Sequence, residues 1–164
     1  MIRSILFFLL FSNSLFSINY EIVTETSNPD VCTKILNGLE DFNVKFFKEK
    51  HESFNVELFI IYAKDDHSQI IGGINGYIFV SDIGSWASVE YAWVDESSRR
   101  VGIGTKLFEK IESLAKMKNC NHIQLLTFDY QAVDFYKKLG FECVGIIPEW
   151  IENHDALYFR KKIN

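Results

Sequence analysis

Apolar and polar positions follow two different rhythms along this chain, and each change of rhythm marks an element. "NYEIVTE" (19–25) alternates and carries β-branched residues, which predicts a first strand. A helical rhythm follows Pro29, a favoured first helical residue, with Val31, Ile35, Leu39, Phe42 and Phe46 on one face and Gly38 as a candidate break. Strand patterns return in "VELFIIYAK" (56–64) and "QIIGGINGYIFV" (69–80), joined by the polar turn Asp65–Ser68, and again in "SWASVEYAWV" (85–94). Gly72, Gly73 and Gly76 predict that the second of these is loosened or bulged.

The second half of the chain reads more sharply. Ile103, Leu107, Ile111, Leu114 and Ala115 lie on one helical face, and Lys106, Glu109, Lys110, Glu112 and Lys116 on the other. Glu112 and Lys116 are spaced to pair, and Asn119 can end this helix. "HIQLLTF" (122–128) predicts a short buried strand. Asp129 can cap a helix carrying Ala132, Phe135, Tyr136 and Leu139, which Gly140 can close in a left-handed turn. "FECVGIIP" (141–148) and "ALYFRKKI" (156–163) complete the strands. The order β-α-β-β-β-α-β-α-β-β mixes hairpins with crossovers, so the sheet is expected to be mixed, in an α/β (α+β) fold.

Composition narrows the chemistry. A chain of 164 residues suits one domain with its own core, and 48% apolar content with 15 phenylalanines excludes a disordered chain. A net charge of −5 argues against a broad basic face and hence against a nucleic-acid partner. Basic residues must act locally, and Arg99, Arg100, Lys106 and Lys110 cluster. Cys32, Cys120 and Cys143 show no CxxC spacing. His51, His67, His122 and His154 are scattered without an HExxH grouping, so no metal is predicted.

The first residues form a separate segment. "MIRSILFFLLFSNSLFS" (1–17) places Arg3 before the apolar run Ile5–Phe11 and a serine-rich stretch, the layout of a short secretory leader with cleavage after Ser14. It is too short to span a bilayer as a helix. A loosely packed apolar extension and an upstream start unused in the cell fit the same residues. From 18 to 164 a single domain is expected.

"RRVGIGTKL" (99–107) follows a strand and opens a helix, so unpaired N–H groups and the positive helix end converge there on an anion site. Gly102 and Gly104 leave room for backbone to approach oxygen atoms. Three phosphate loops fail against it. Leu107 stands where a dinucleotide or kinase loop needs its third glycine, and Lys106 follows Thr105 where a P-loop needs a glycine.

Arg99-x-x-Gly102-x-Gly104, followed by "QAVDFYKKLGF" (131–141), resembles the GNAT superfamily of acetyl-CoA-dependent N-acetyltransferases, whose [QR]-x-x-G-x-[GA] turn cradles the coenzyme A pyrophosphate. The likeness covers 19–163 and is firmest from Val89 to Phe141. It implies a largely antiparallel sheet of six or seven strands flanked by helices. It also implies acetyl-CoA as co-substrate, without a metal, and direct transfer to a primary amine on a small molecule or peptide. A homodimer is compatible with it. By resemblance, Arg99, Arg100, Val101, Gly102, Ile103, Gly104 and Thr105 hold the pyrophosphate. Backbone near Trp93 and Val94 pairs with the pantetheine arm, which requires this strand to splay from 122–128. Gln131 stands where many members carry Asn.

The same resemblance makes Tyr136 the acid that protonates the departing sulfur, although its spacing alone suits a core aromatic. Glu90 is the candidate base. It is expected to share a strand face with Ala92 and Val94, where apolar neighbours tune a carboxylate for proton transfer; an edge glutamate facing solvent fits as well. His154 either lines the acceptor side or sits in a satisfied surface turn. A non-catalytic, exported GNAT-like binding module is the alternative reading. Acetyl-CoA use favours the cytoplasm, whereas the leader argues for export.

Overall fold

In a computed structural model, residues 21–24, 26–47, 55–82 and 84–163 are described. The leader 1–17 and the start of the first expected strand lie outside them. Glu21–Thr24 form no strand. The chain divides into two compact units, 1–43 and 44–164. The first carries most of helix α1 (Pro29–Phe47), which begins at Pro29 and runs through Gly38 without a break. Asn28 Oδ1 accepts the Val31 N–H at 3.2 Å and caps it.

The second unit is built on a six-stranded sheet in the order β1-β2-β3-β4-β6-β5. Its strands are β1 (Asn55–Lys64), β2 (Ile70–Ser81), β3 (Gly84–Val94), β4 (His122–Phe128), β5 (Glu142–Ile151) and β6 (His154–Lys162). Every neighbouring pair is antiparallel except β3 and β4. The crossover between those two strands carries helix α2 (Ile103–Met117), and helix α3 (Val133–Lys138) joins β4 to β5. The expected mixed sheet is therefore present.

Local chemistry sets the boundaries. Asp65 Oδ1 accepts the N–H groups of His67 and Gln69 at 2.9 and 2.8 Å, which closes the β1–β2 turn. Asn119 (φ 54°) and Gly140 (φ 84°) take the left-handed conformations that stop the two helices. At the second of these, the Phe141 N–H returns to the Tyr136 carbonyl at 3.0 Å. Asp129 does not cap α3; Ala132 occupies that position, and the Asp129 carboxylate is engaged elsewhere. The strand expected to stop at 148 runs on to Ile151.

The core lies between the sheet and α2. Phe59, Ile74, Ile78, Ala87, Val89, Ile123, Leu125 and Phe159 meet Leu107, Phe108, Ile111 and Ala115. Phe108, absent from the helical face read in the sequence, is 1% exposed and sits edge-on to Phe135, Tyr136 and Phe141, with centroids 5.7–5.8 Å away.

Among the register shifts of the sheet, the one between β2 and β3 bears on the site. Asn75 faces Tyr91 and Gly76 faces Val89, so Glu90 is an extra residue on β3. The glycine-rich β2 was expected to be loosened or bulged, and against β1 it carries an extra residue, Ile71, beside Gly72, while against β3 the inserted residue belongs to its partner. A Cβ at Gly76 would lie 1.9 Å from the Ser88 carbonyl oxygen. Only glycine lets the bulged strand come that close. Replacing Gly76 with Ala is expected to destabilise the protein by about 1–3 kcal/mol in urea denaturation. Gly145→Ala, whose new Cβ would meet nothing closer than 3.9 Å, should change stability far less.

Candidate functional site

β3 and β4 pair from Trp86–His122 to Val89–Leu125 and then separate. Both strands continue, β3 to Val94 and β4 to Phe128, with no ladder between them. The bulge at Glu90 comes directly after the last paired residue, and bulges bend and twist the strand that carries them. A wedge opens there, and the β4-facing backbone of Glu90–Val94 is left without a strand partner on that side.

The wedge leads into a cleft of about 860 Å³ between the sheet, the start of α2 and α3. Trp93 and Val94 line one wall, Arg99, Arg100, Gly102, Ile103, Gly104 and Thr105 the next, and Gln131 and Tyr136 the third. Ten of the twelve residues singled out from the sequence thus share one cavity. Val101 and Glu90 are not on its walls. The Val101 side chain is exposed.

The turn before α2 is shaped for its helix start. Gly102 is the N-cap residue with φ 90°, a left-handed conformation that glycine adopts without strain. No side chain caps the helix, and its first turn closes with Lys106 N–H to the Gly102 carbonyl at 3.1 Å. The N–H groups of Ile103, Gly104 and Thr105 are therefore directed out of the helix end. The two glycines do different jobs. A Cβ on Gly104 would lie 3.0 Å from the Phe135 ring, so this glycine lets α2 pack against α3 rather than clearing space for an anion. Arg99 is not a free surface charge: its Nε donates to the Val94 carbonyl at 3.0 Å and ties the turn to the end of β3.

On the opposite wall, Gln131 Oε1 accepts from Thr127 Oγ1 at 2.8 Å and from the Phe128 N–H at 3.2 Å. That satisfies the buried Thr127 hydroxyl and fixes the loop after β4. Tyr136 is 8% exposed and packs among Phe108, Phe141 and Phe159, yet one side of it faces the cleft. Burial pushes its phenol pKa up, so the group is a protonated donor at neutral pH. The core aromatic and the cleft residue are the same side chain.

Glu90 departs from its expected surroundings. The bulge takes it out of step with Ala92 and Val94, and it is exposed, with Ser88 Oγ donating to its Oε1 at 2.9 Å. The sequence did not single out Tyr130, Phe135 or Phe108 as cleft residues. Tyr130, beside Gln131, had no signal of its own. Among the described residues no group of three or more His, Cys, Asp or Glu stands ready for a metal, and no helix is long and apolar enough to cross a membrane.

The cleft thus joins a bulged strand parting from its parallel neighbour to a helix start with open N–H groups. The chain belongs to the acetyltransferase (GNAT) family, whose sequence profile matches residues 23–141. It is 29% identical over 100 residues to a blasticidin-S acetyltransferase from Streptomyces morookaense, covering 60% of this chain and 71% of that protein. An acetyltransferase structure from Bacillus cereus ATCC 14579 superposes with TM-score 0.68 and 28% identity, over 86% of this chain and 97% of that one. A Bacillus anthracis str. Ames protein solved with acetyl coenzyme A matches with TM-score 0.57 and 27% identity, over 65% and 63% of the two chains.

The buried phenol gives a stability test. The fold favours protonated Tyr136, so this contribution is complete below the ordinary phenol pKa of about 10 and is lost as pH rises through the raised value. Tyr136→Phe has no such loss. The stability of wild type minus that of the variant should be constant below the ordinary phenol pKa of about 10 and fall as pH rises above it in denaturant titrations. A difference independent of pH would contradict a desolvated phenol.

Proposed function

We propose that this acetyltransferase carries the acetyl group of acetyl-CoA directly to a primary amine. The observation that supports it most is the continuity of the cleft, which runs from the open N–H groups at Ile103–Thr105, past Arg99 and Arg100, to the wedge beside Tyr136. A pyrophosphate at the helix start takes N–H hydrogen bonds, with the helix dipole adding only about 0.3–1 kcal/mol per charge. An extended pantetheine arm then adds to β3 as a further strand, on the backbone of Glu90–Val94 that β4 leaves free. The Val94 carbonyl already accepts from Arg99, so Trp93 and its neighbours supply the remaining groups.

Two proton movements accompany the transfer. An amine of pKa about 10.4 must be neutralised, at a cost of roughly 4.6 kcal/mol at pH 7. The thioester sulfur must leave protonated. Tyr136 supplies that proton from its buried, neutral phenol. Glu90, exposed on the bulge, takes a proton from the reacting nitrogen through water. The likeness to a blasticidin-S acetyltransferase makes blasticidin S the first acceptor to test.

Purified protein is expected to release thiol from acetyl-CoA when given blasticidin S, a polyamine or an aminoglycoside. Tyr136→Phe should lower kcat by about 100-fold while coenzyme A affinity in calorimetry changes little. Full turnover in Tyr136→Phe would remove the acid role. An absence of coenzyme A binding by the wild type would overturn the whole reading.

A further inference from the structure

His154 opens β6 and reaches back to the loop after β4, where its Nδ1 lies 2.8 Å from Asp129 Oδ1. Asp129 is itself held from both ends. Its N–H donates to the Asp155 carbonyl at 3.1 Å, and its Oδ2 accepts the Asp155 N–H at 3.3 Å. Burial alone would raise the Asp129 pKa. The hydrogen bonds from Asp155, His154 and Tyr130 and the charge of His154 outweigh that and hold it below the usual carboxylate value. Asp129 is therefore ionised and can only accept, so Nδ1 carries the hydrogen and the neutral ring keeps its lone pair on Nε2. No described residue hydrogen-bonds Nε2.

The imidazole stands one ring away from the cleft. Tyr130 lines the cavity, stacks on Phe128 with centroids 5.6 Å apart, and meets the edge of His154 at 4.6 Å and 66°. Phe128 ends the stretch of β4 that parts from β3, and Tyr130 stands between the cleft and His154, which lies on the β6 side of β4. Tyr130 and Asp129 come from the loop, and the titratable Glu149, Glu152 and Asp155 from the hairpin that carries His154. The Asp155 carboxylate is turned to the Glu149 N–H at 3.1 Å, which leaves Asp129 as the carboxylate in contact with the imidazole.

We infer that His154 is the base that takes the first proton from the acceptor's ammonium group, with Asp129 as its positioning residue. This rests on the amine-acetylating reading above. The ammonium N–H bond breaks and its proton passes to Nε2, leaving a neutral amine and an imidazolium paired with Asp129. The nitrogen lone pair forms the C–N bond at the thioester carbon. The nitrogen gives up a second proton through water toward Glu90 as the C–S bond breaks. Sulfur leaves with the Tyr136 proton. The proton on Glu90 then restores the phenol, the imidazolium releases its proton to solvent, and amide, thiol and one solvent proton result.

The test compares wild type, His154→Gln, Asp129→Asn and Glu90→Gln, with blasticidin S and spermidine as acceptors. For the wild type, kcat/KM should fall on the acid side as the base becomes protonated. His154→Gln should lose about 100-fold in kcat/KM at neutral pH together with that acid limb, its coenzyme A affinity in calorimetry unchanged. Asp129→Asn, which takes the carboxylate acceptor from Nδ1, should lower kcat/KM with the acid limb still present. Glu90→Gln should be slower with the limb in place. An acid limb that persists in His154→Gln, or one that disappears in Glu90→Gln, would overturn the assignment. A wild type that binds no coenzyme A would overturn the underlying reading instead.

Discussion

The separation of β3 from β4 after Val89 and Leu125 is the constraint on which the site depends. Parallel strands that stayed paired to their ends would seal the backbone of Glu90–Val94, and nothing extended could be added there. The bulged Glu90 comes directly after the last paired residue, and Gly76 is the residue that admits it. A missing side chain on a neighbouring strand thus accounts for an open wedge on the far side of β3. Every wall of the cleft is arranged around that opening.

The glycine turn shows how a short motif can carry several tasks. Gly102 supplies a left-handed N-cap, Gly104 makes room for Phe135, and Arg99 ties the turn to the end of β3. Only the first and last of these set the position of the free N–H groups. The middle one brings α2 and α3 together, and with them Tyr136 across the cleft from the turn. Motif and phenol therefore belong to one packing unit, centred on Phe108.

Much of this was legible in the residues. Helix α2 carries a strong apolar stripe, Asn119 and Gly140 mark its end and that of α3, and the resemblance of the glycine turn and of 131–141 to the GNAT superfamily pointed to one cleft with Tyr136 in it. Two things were not legible, for physical reasons. Glycines in β2 signal the extra residue that β2 carries at Ile71 but not the one that its partner β3 carries at Glu90, since that is settled by pairing between strands. The Asp129–His154 contact joins residues 25 apart through the β5–β6 hairpin, and no local pattern records it. Asp129 read as a helix cap because the loop before α3 has the right residue for one. The nearby backbone of Asp155 holds its carboxylate in a different role.

The central claim is that coenzyme A lies along the helix start and the free edge of β3. An amide nuclear magnetic resonance titration with coenzyme A tests it most directly. The account predicts that the largest shifts fall on Ile103, Gly104, Thr105 and the stretch 90–94, with the β1–β2 turn at Asp65–Ser68 unmoved. Saturable shifts that leave Ile103–Thr105 and 90–94 untouched would contradict it.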